Sequence, residues 1–138
     1  MTDSSNSKKN AVLFLCVANS ARSQMAEGWY RDLAPGRPVF SAGSHPSIVH
    51  PLAIQVMGEV GINITAQRSK GIDSISLDEV GTVITLCADE VCPVLPGNVR
   101  RLHWPLPEPF GAGPTPIEGF RRVRDELARR IRDFLSLT

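Results

Sequence analysis

Cys16 and Arg22 bracket the run Cys16-Val-Ala-Asn-Ser-Ala-Arg22-Ser23, and their side chains suit one job between them. A thiolate is a strong nucleophile, and a guanidinium presents a planar fork that matches two oxygens of a tetrahedral oxyanion. A short loop that leads into a helix can wrap such an anion. Successive backbone N–H groups turn inward as a nest, and the helix N-terminus adds partial positive charge. The same field favours the thiolate of Cys16 at neutral pH. Val17, Ala18, Asn19, Ser20 and Ala21 would line the loop, with Ala18, Ser20 and Ala21 small enough for the backbone to approach a ligand closely. Asn19 and the Ser23 hydroxyl are placed to hydrogen-bond the thiolate or to hold the loop's shape. A Cys-x5-Arg spacing is often coincidence, and Cys16 read alone is also a small buried residue ending a strand. The surrounding elements decide.

Ala11 to Cys16 is a compact apolar run, suited to a strand buried on both faces. After Asn19-Ser20, Met25, Trp29 and Leu33 recur at helical spacing and predict a helix that stops at Ala34-Pro35-Gly36. Pro38 to Gly43 reads as a second strand, and His50 to Val60 as a helix with Pro51 in its first turn. Gly61 to Leu77 suggests loop and a short helix. Gly81 to Cys87 is a third buried strand, Asp89 to Gly97 a loop broken by Pro93 and Pro96, and Arg100 to Trp104 a fourth strand. Pro105 to Pro114 is too rich in proline and glycine for anything but loop. Thr115-Pro116-Ile117-Glu118 then offers a Thr cap, Pro at the first helical position and a capping-box Glu. Ile117, Phe120, Val123, Leu127, Ile131 and Phe134 form the apolar stripe of this last helix; Arg121, Arg124, Asp125, Arg129 and Arg132 read as its solvated face.

This alternation predicts an α/β fold: a single-domain three-layer sandwich with a central four-stranded parallel sheet flanked by helices. Ligands of such sheets bind at the C-terminal edge of the strands, and Cys16, Cys87 and Trp104 all fall at strand ends. The expected organisation is a flexible tail over residues 1–10 and one catalytic domain over 11–138.

Apolar residues at 42% and charged residues at 21% are an ordinary globular balance, and a formal charge of +1 argues against a nucleic-acid partner. Ala11 to Ala18, the longest apolar stretch, is too short to span a bilayer, and the polar first ten residues lack the apolar region of a secretory signal. A cytoplasmic location without membrane contact is expected. The three cysteines, Cys16, Cys87 and Cys92, are too few for a disulfide framework. There is no Cys-x-x-Cys pair, and His45, His50 and His103 are scattered, so a zinc site is not expected. The cysteines are then buried inert thiols or reactive ones.

The segment Val12-Leu-Phe-Leu-Cys-Val-Ala-Asn-Ser-Ala-Arg-Ser-Gln-Met-Ala-Glu27 resembles the opening of the low-molecular-weight protein tyrosine phosphatase superfamily. Within it, the chain is similar to arsenate reductases recharged by thioredoxin. The likeness continues through Ser41-Ala-Gly43, Thr85-Leu-Cys-Ala-Asp-Glu-Val-Cys-Pro93, His103-Trp104 and Phe120 to Glu126. The resemblance implies that arsenate sits in the loop, with phosphate or sulfate as mimics, and is attacked by Cys16. Cys87 would then attack the Cys16 sulfur, and Cys92 would attack Cys87 to leave a disulfide that thioredoxin reduces. Glutathione with glutaredoxin, or mycothiol, is the alternative reductant. Where relatives carry an acidic general acid followed by proline, this chain has Glu108-Pro109. Some relatives hold a potassium ion with residues matching Asn19, Glu27 and Ser41, but the remaining acidic ligand matches Lys70, so no metal is expected. Neither is a cofactor, and the chain is expected to act as a monomer. The rival expectation is a phosphatase acting on phosphotyrosine or small phosphomonoesters, for which Cys87 and Cys92 have no use.

Overall fold

The computed structural model describes residues 10–88 and 97–137. Most of the expected N-terminal tail, together with Cys92, Pro93 and Pro96, lies outside the described residues.

Four strands, β1 (Ala11–Cys16), β2 (Val39–Gly43), β3 (Val80–Thr85) and β4 (Arg100–His103), form one sheet in the order β2-β1-β3-β4. All three pairings are parallel. Every residue of β1 is buried, as its unbroken apolar run requires of a central strand covered on both faces. Alternate residues of β1 serve different cores. Val12 and Phe14 face the larger one, shared with α1 (Arg22–Leu33), α2 (Pro51–Glu59) and α3 (Pro116–Ser136). Leu13 and Leu15 face a smaller one with Ala42, Ile75, Val80 and Val83. The predicted sheet and three layers are present. The layer over the smaller core is made by two 3-10 turns, Ile72–Ser74 and Leu77–Glu79, where the sequence suggested a short helix.

Each helix starts differently. Thr115 caps α3 as expected, its hydroxyl accepting from the Glu118 N–H at 3.3 Å, and the His50 ring caps α2 by accepting from the Leu52 N–H. The residue before α1, Ala21, supplies no side-chain cap. Phe120 of α3 is fully buried, which stabilises the fold by roughly 2–3 kcal/mol. Two aromatic bridges tie the helices to the sheet: Phe14 meets the Tyr30 ring edge-on at 5.9 Å, and Trp104 lies 6.2 Å from Phe14 and 6.0 Å from Phe134. Trp104 thus leaves β4 at the sheet edge but sends its ring into the core.

One helical expectation is corrected. Arg124 is not on a solvated face: it is 9% exposed and pinned by Glu59, Asp125 and the Val56 carbonyl. Its long stem fills the α2–α3 interface while its head finds fixed acceptors, which a helical-wheel reading of arginine cannot anticipate.

Candidate functional site

The loop from Val17 to Ala21 joins the C-terminal end of β1 to the uncapped start of α1. Its carbonyls are all claimed by the scaffold. Val17 O accepts from the His45 N–H at 2.8 Å, Ala18 O from the Ser47 N–H at 3.2 Å and from Ser69 Oγ at 2.9 Å, and Ser20 O from the His50 N–H at 2.9 Å. Asn19 O accepts from Gln24 Nε2 at 3.2 Å. In a planar trans peptide the N–H points opposite to the C=O. Carbonyls held outward therefore turn the N–H groups of Ala18, Asn19, Ser20 and Ala21 to the inner side of the loop, as a nest for an anion requires. Asn19 adopts φ 48°, the only positive-φ non-glycine among the described residues, and this reversal lets the loop curl.

Cys16 is 3% exposed and lies at the root of this loop as a free thiol. Its Sγ is 2.9 Å from Ser23 Oγ, which accepts a hydrogen bond from Asn19 Nδ2 at 2.7 Å. Ser23 thus touches the sulfur, and Asn19 holds Ser23. Arg22 is 7% exposed, and its Nη1 donates to the Leu106 carbonyl at 3.0 Å.

That last contact comes from a ladder continuing beyond the strand ends. The Leu86 N–H donates to Leu15 O at 3.0 Å, the Trp104 N–H to Thr85 O at 2.8 Å and the Leu106 N–H to Leu86 O at 3.2 Å. Cys87, 1% exposed, follows Leu86 directly and so leaves the sheet beside the end of β1, where Cys16 sits. Glu108, two residues beyond Leu106, is exposed, and its carboxylate accepts from the Phe110 N–H at 2.7 Å, capping a 3-10 turn over Pro109–Gly111. Cys16, Arg22, Cys87 and the backbone leading to Glu108 therefore share one edge of the sheet. Cys92 lies outside the described residues.

In α1, beyond Ser23 and Gln24, Glu27 is buried and receives Ser41 Oγ at 2.5 Å, Arg31 and, at 3.5 Å, Lys70 Nζ. The same ammonium lies 3.4 Å from Ser41 Oγ and 2.9 Å from the Arg68 carbonyl.

Several contributors escaped sequence reasoning. Gly43 packs so closely under the loop that a Cβ there would stand 2.4 Å from Val17 O and 2.8 Å from Asn19 N. A glycine ending a strand is a known sign of close backbone approach and was the available signal. Gly119 likewise admits the Pro109 carbonyl, which a Cβ would meet at 2.0 Å, so the N-terminal turn of α3 sets the position of the loop carrying Glu108. Gln24, Gln67, Ser69 and the Leu106 carbonyl carried no signal beyond being polar or backbone.

The low molecular weight phosphotyrosine protein phosphatase model matches residues 11–137. The chain belongs to that family. Among its relatives in the phosphatase family, an arsenate reductase from Halalkalibacterium halodurans is 45% identical over 132 residues, covering 91% of this chain and 95% of its own. A solved structure of an arsenate reductase in its phosphate-binding state matches with TM-score 0.80 at 38% identity, covering 92% of this chain and 97% of the other. A thioredoxin-dependent arsenate reductase of Corynebacterium glutamicum matches with TM-score 0.73 at 32% identity, covering 93% of this chain and 61% of that one. No helix among the described residues is long and apolar enough to cross a membrane.

Proposed function

We propose that this member of the phosphatase family reduces arsenate to arsenite, with Cys16 as nucleophile and thioredoxin as the source of electrons. The observation that carries the reading is the position of Cys87. It follows a residue hydrogen-bonded to Leu15, at the same sheet edge as Cys16, and phosphoester hydrolysis has no use for a second sulfur there. The relatives described above add the substrate: arsenate copies the shape and charge of phosphate, and arsenic(V), unlike phosphorus in phosphate, accepts an electron pair from sulfur.

In the proposed reaction the inner N–H groups of the loop from Val17 to Ala21 and the Arg22 fork hold three arsenate oxygens. Thiolate Cys16 attacks arsenic, and one oxygen leaves as water with a proton from Glu108. Glu108 would first give up its hold on the Phe110 N–H. Cys87 then attacks the Cys16 sulfur. A sulfur–sulfur bond forms, the sulfur–arsenic bond breaks with its electron pair going to arsenic, and arsenite departs. Cys92 attacks Cys87, freeing Cys16 as thiolate, and thioredoxin reduces the resulting Cys87–Cys92 disulfide by thiol–disulfide exchange.

A potassium ion beside the loop does not fit this donor set. Lys70 Nζ already stands within reach of Glu27, Ser41 and the Arg68 carbonyl, and a second cation there would face an ammonium. No step of the reaction passes through a metal.

The test is arsenate-dependent oxidation of NADPH in the presence of thioredoxin and thioredoxin reductase, with single Cys→Ser variants at positions 16, 87 and 92. Cys16→Ser should form no adduct and Cys92→Ser should accumulate a Cys16–Cys87 bridge, visible by mass spectrometry. Full turnover by Cys92→Ser would remove the third step. Hydrolysis of p-nitrophenyl phosphate without any arsenate reduction would instead establish the phosphatase reading.

A further inference from the structure

Behind the oxyanion loop, side chains line up in single file from the surface to the nucleophile. Arg31 Nη1 donates to Gln67 Oε1 at 2.8 Å, Gln67 Nε2 to Gln24 Oε1 at 2.8 Å, and Gln24 Nε2 to Asn19 Oδ1 at 2.8 Å. Asn19 Nδ2 then donates to Ser23 Oγ at 2.7 Å, and Ser23 Oγ stands 2.9 Å from Cys16 Sγ. Asn19, Ser23 and Gln24 are fully buried, Gln67 is half-buried, and the Arg31 side chain is exposed.

Backbone groups with unexchangeable roles set the sense of each amide. The Lys70 N–H lies 2.7 Å from Asn19 Oδ1, so that atom must accept. The Gln24 amide nitrogen faces the carbonyls of Asn19 and Arg68, at 3.2 and 2.9 Å, so it must donate. The Gln67 nitrogen faces the Gln24 carbonyl at 3.1 Å and must also donate. Asn19 Nδ2 can then only donate to Ser23, which leaves the single Ser23 proton for the sulfur. Each dipole in the file points its positive end toward Cys16. Aligned hydrogen bonds polarise one another, more so away from water.

We propose that Gln24 and Gln67 are positioning residues for the nucleophile: together with the Lys70 N–H they hold the Asn19 amide in the sense that makes Ser23 a donor to Cys16, favouring the thiolate. A flipped Asn19 amide would draw the Ser23 proton to its own oxygen and leave the sulfur without a donor. The proposal rests on reading Cys16 as the nucleophile, but its test needs no arsenate.

The reduced full-length protein is alkylated with iodoacetamide across a pH series, and modification is read on the Cys16 peptide by mass spectrometry. Gln24→Met, which fills the same space without donors, should move the midpoint of the Cys16 profile up by about one pH unit, the tenfold effect of one buried hydrogen bond. Gln67→Met should move it the same way by less. In a Ser23→Ala background neither substitution should move it further, because the link to the sulfur is already gone. A folded Gln24→Met protein with the wild-type midpoint overturns the proposal, as does an equal shift in the Ser23→Ala background, which a merely structural role would produce. If Gln24→Met fails to fold, Gln67→Met at the half-buried outer link decides by the same two criteria. A chain that gives the expected profiles yet consumes no arsenate overturns the proposed reaction and leaves the file of donors standing.

Discussion

Two polar networks in this molecule make opposite use of similar groups. The file behind the loop after β1 is built around neutral amides and a hydroxyl, with its one charge at the outer end, and its value lies in direction: each donor aims at the next, as far as the Ser23 hydroxyl that touches Cys16 Sγ. The cluster between α2 and α3 is built from charges and has no direction. Glu59 receives Arg121 through two nitrogens, at 3.0 and 2.7 Å, and Arg124 at 2.8 Å. The Arg121 hydrogen bonds, opposed by partial burial and aided by Arg124, hold the Glu59 carboxyl down at about 2. Ion pairs near solvent clamp helices but are screened by salt and neutralised by acid; a file of buried amides responds to neither and fails only when a member loses its donor. A site that must present one polarised sulfur is better served by a file of buried amides.

The most drastic break in this contrast is Cys16→Ser, which should bring arsenate consumption to background while urea unfolding changes little, since the substitution is nearly isosteric. Next is Gly43→Ala. Its methyl group would force Val17 and Asn19 outward, and a displacement of the loop by a fraction of an ångström should lower the rate on the order of 100-fold, with a stability loss of about 1–3 kcal/mol by urea titration. Glu59→Gln should do the reverse, leaving the rate near wild type and lowering stability at neutral pH. Because the folded Glu59 carboxyl sits at about 2 against an ordinary 4.5, its contribution is fully present above the ordinary value. It is lost as pH falls toward the folded one. The stability gap between wild type and Glu59→Gln should therefore close between those two pH values, as denaturant curves at stepped pH would record. The smallest effect expected is that of 1 M KCl, where the screening length is about 3 Å. It should narrow the same gap at neutral pH and leave the alkylation midpoint of Cys16 in place.

The legibility of the two networks differs for a physical reason. The loop motif, β1 and the capped start of α3 were readable because each is local: a buried strand needs an apolar run, a cap needs Thr115 beside its own helix, and Cys16, Arg22 and Ser23 are close along the chain. Arg124 was misread because helical periodicity reports only which side a residue faces, not whether Glu59 and the Val56 carbonyl wait there. Gln24 looked like one more polar helical residue. Its partners, Gln67 and the Arg68 carbonyl, are 43 and 44 residues away in the chain, and nothing in the local pattern links them.

By itself, the order of residues determined the parallel sheet, the helix that opens behind the loop, and a sulfur and a guanidinium set at the two ends of one short strand-to-helix connection, because period, caps and short spacings act within a few turns of chain. Only the tertiary structure decided which atoms turn the loop carbonyls outward, which glycines admit neighbouring backbone, and which way the Asn19 amide points. Those are properties of distances between remote segments, set when β2 pairs with β1 and the stretch from Gln67 to Lys70 folds against α1 and the loop before it, and hydrogen-bond direction exists only once both partners are in place.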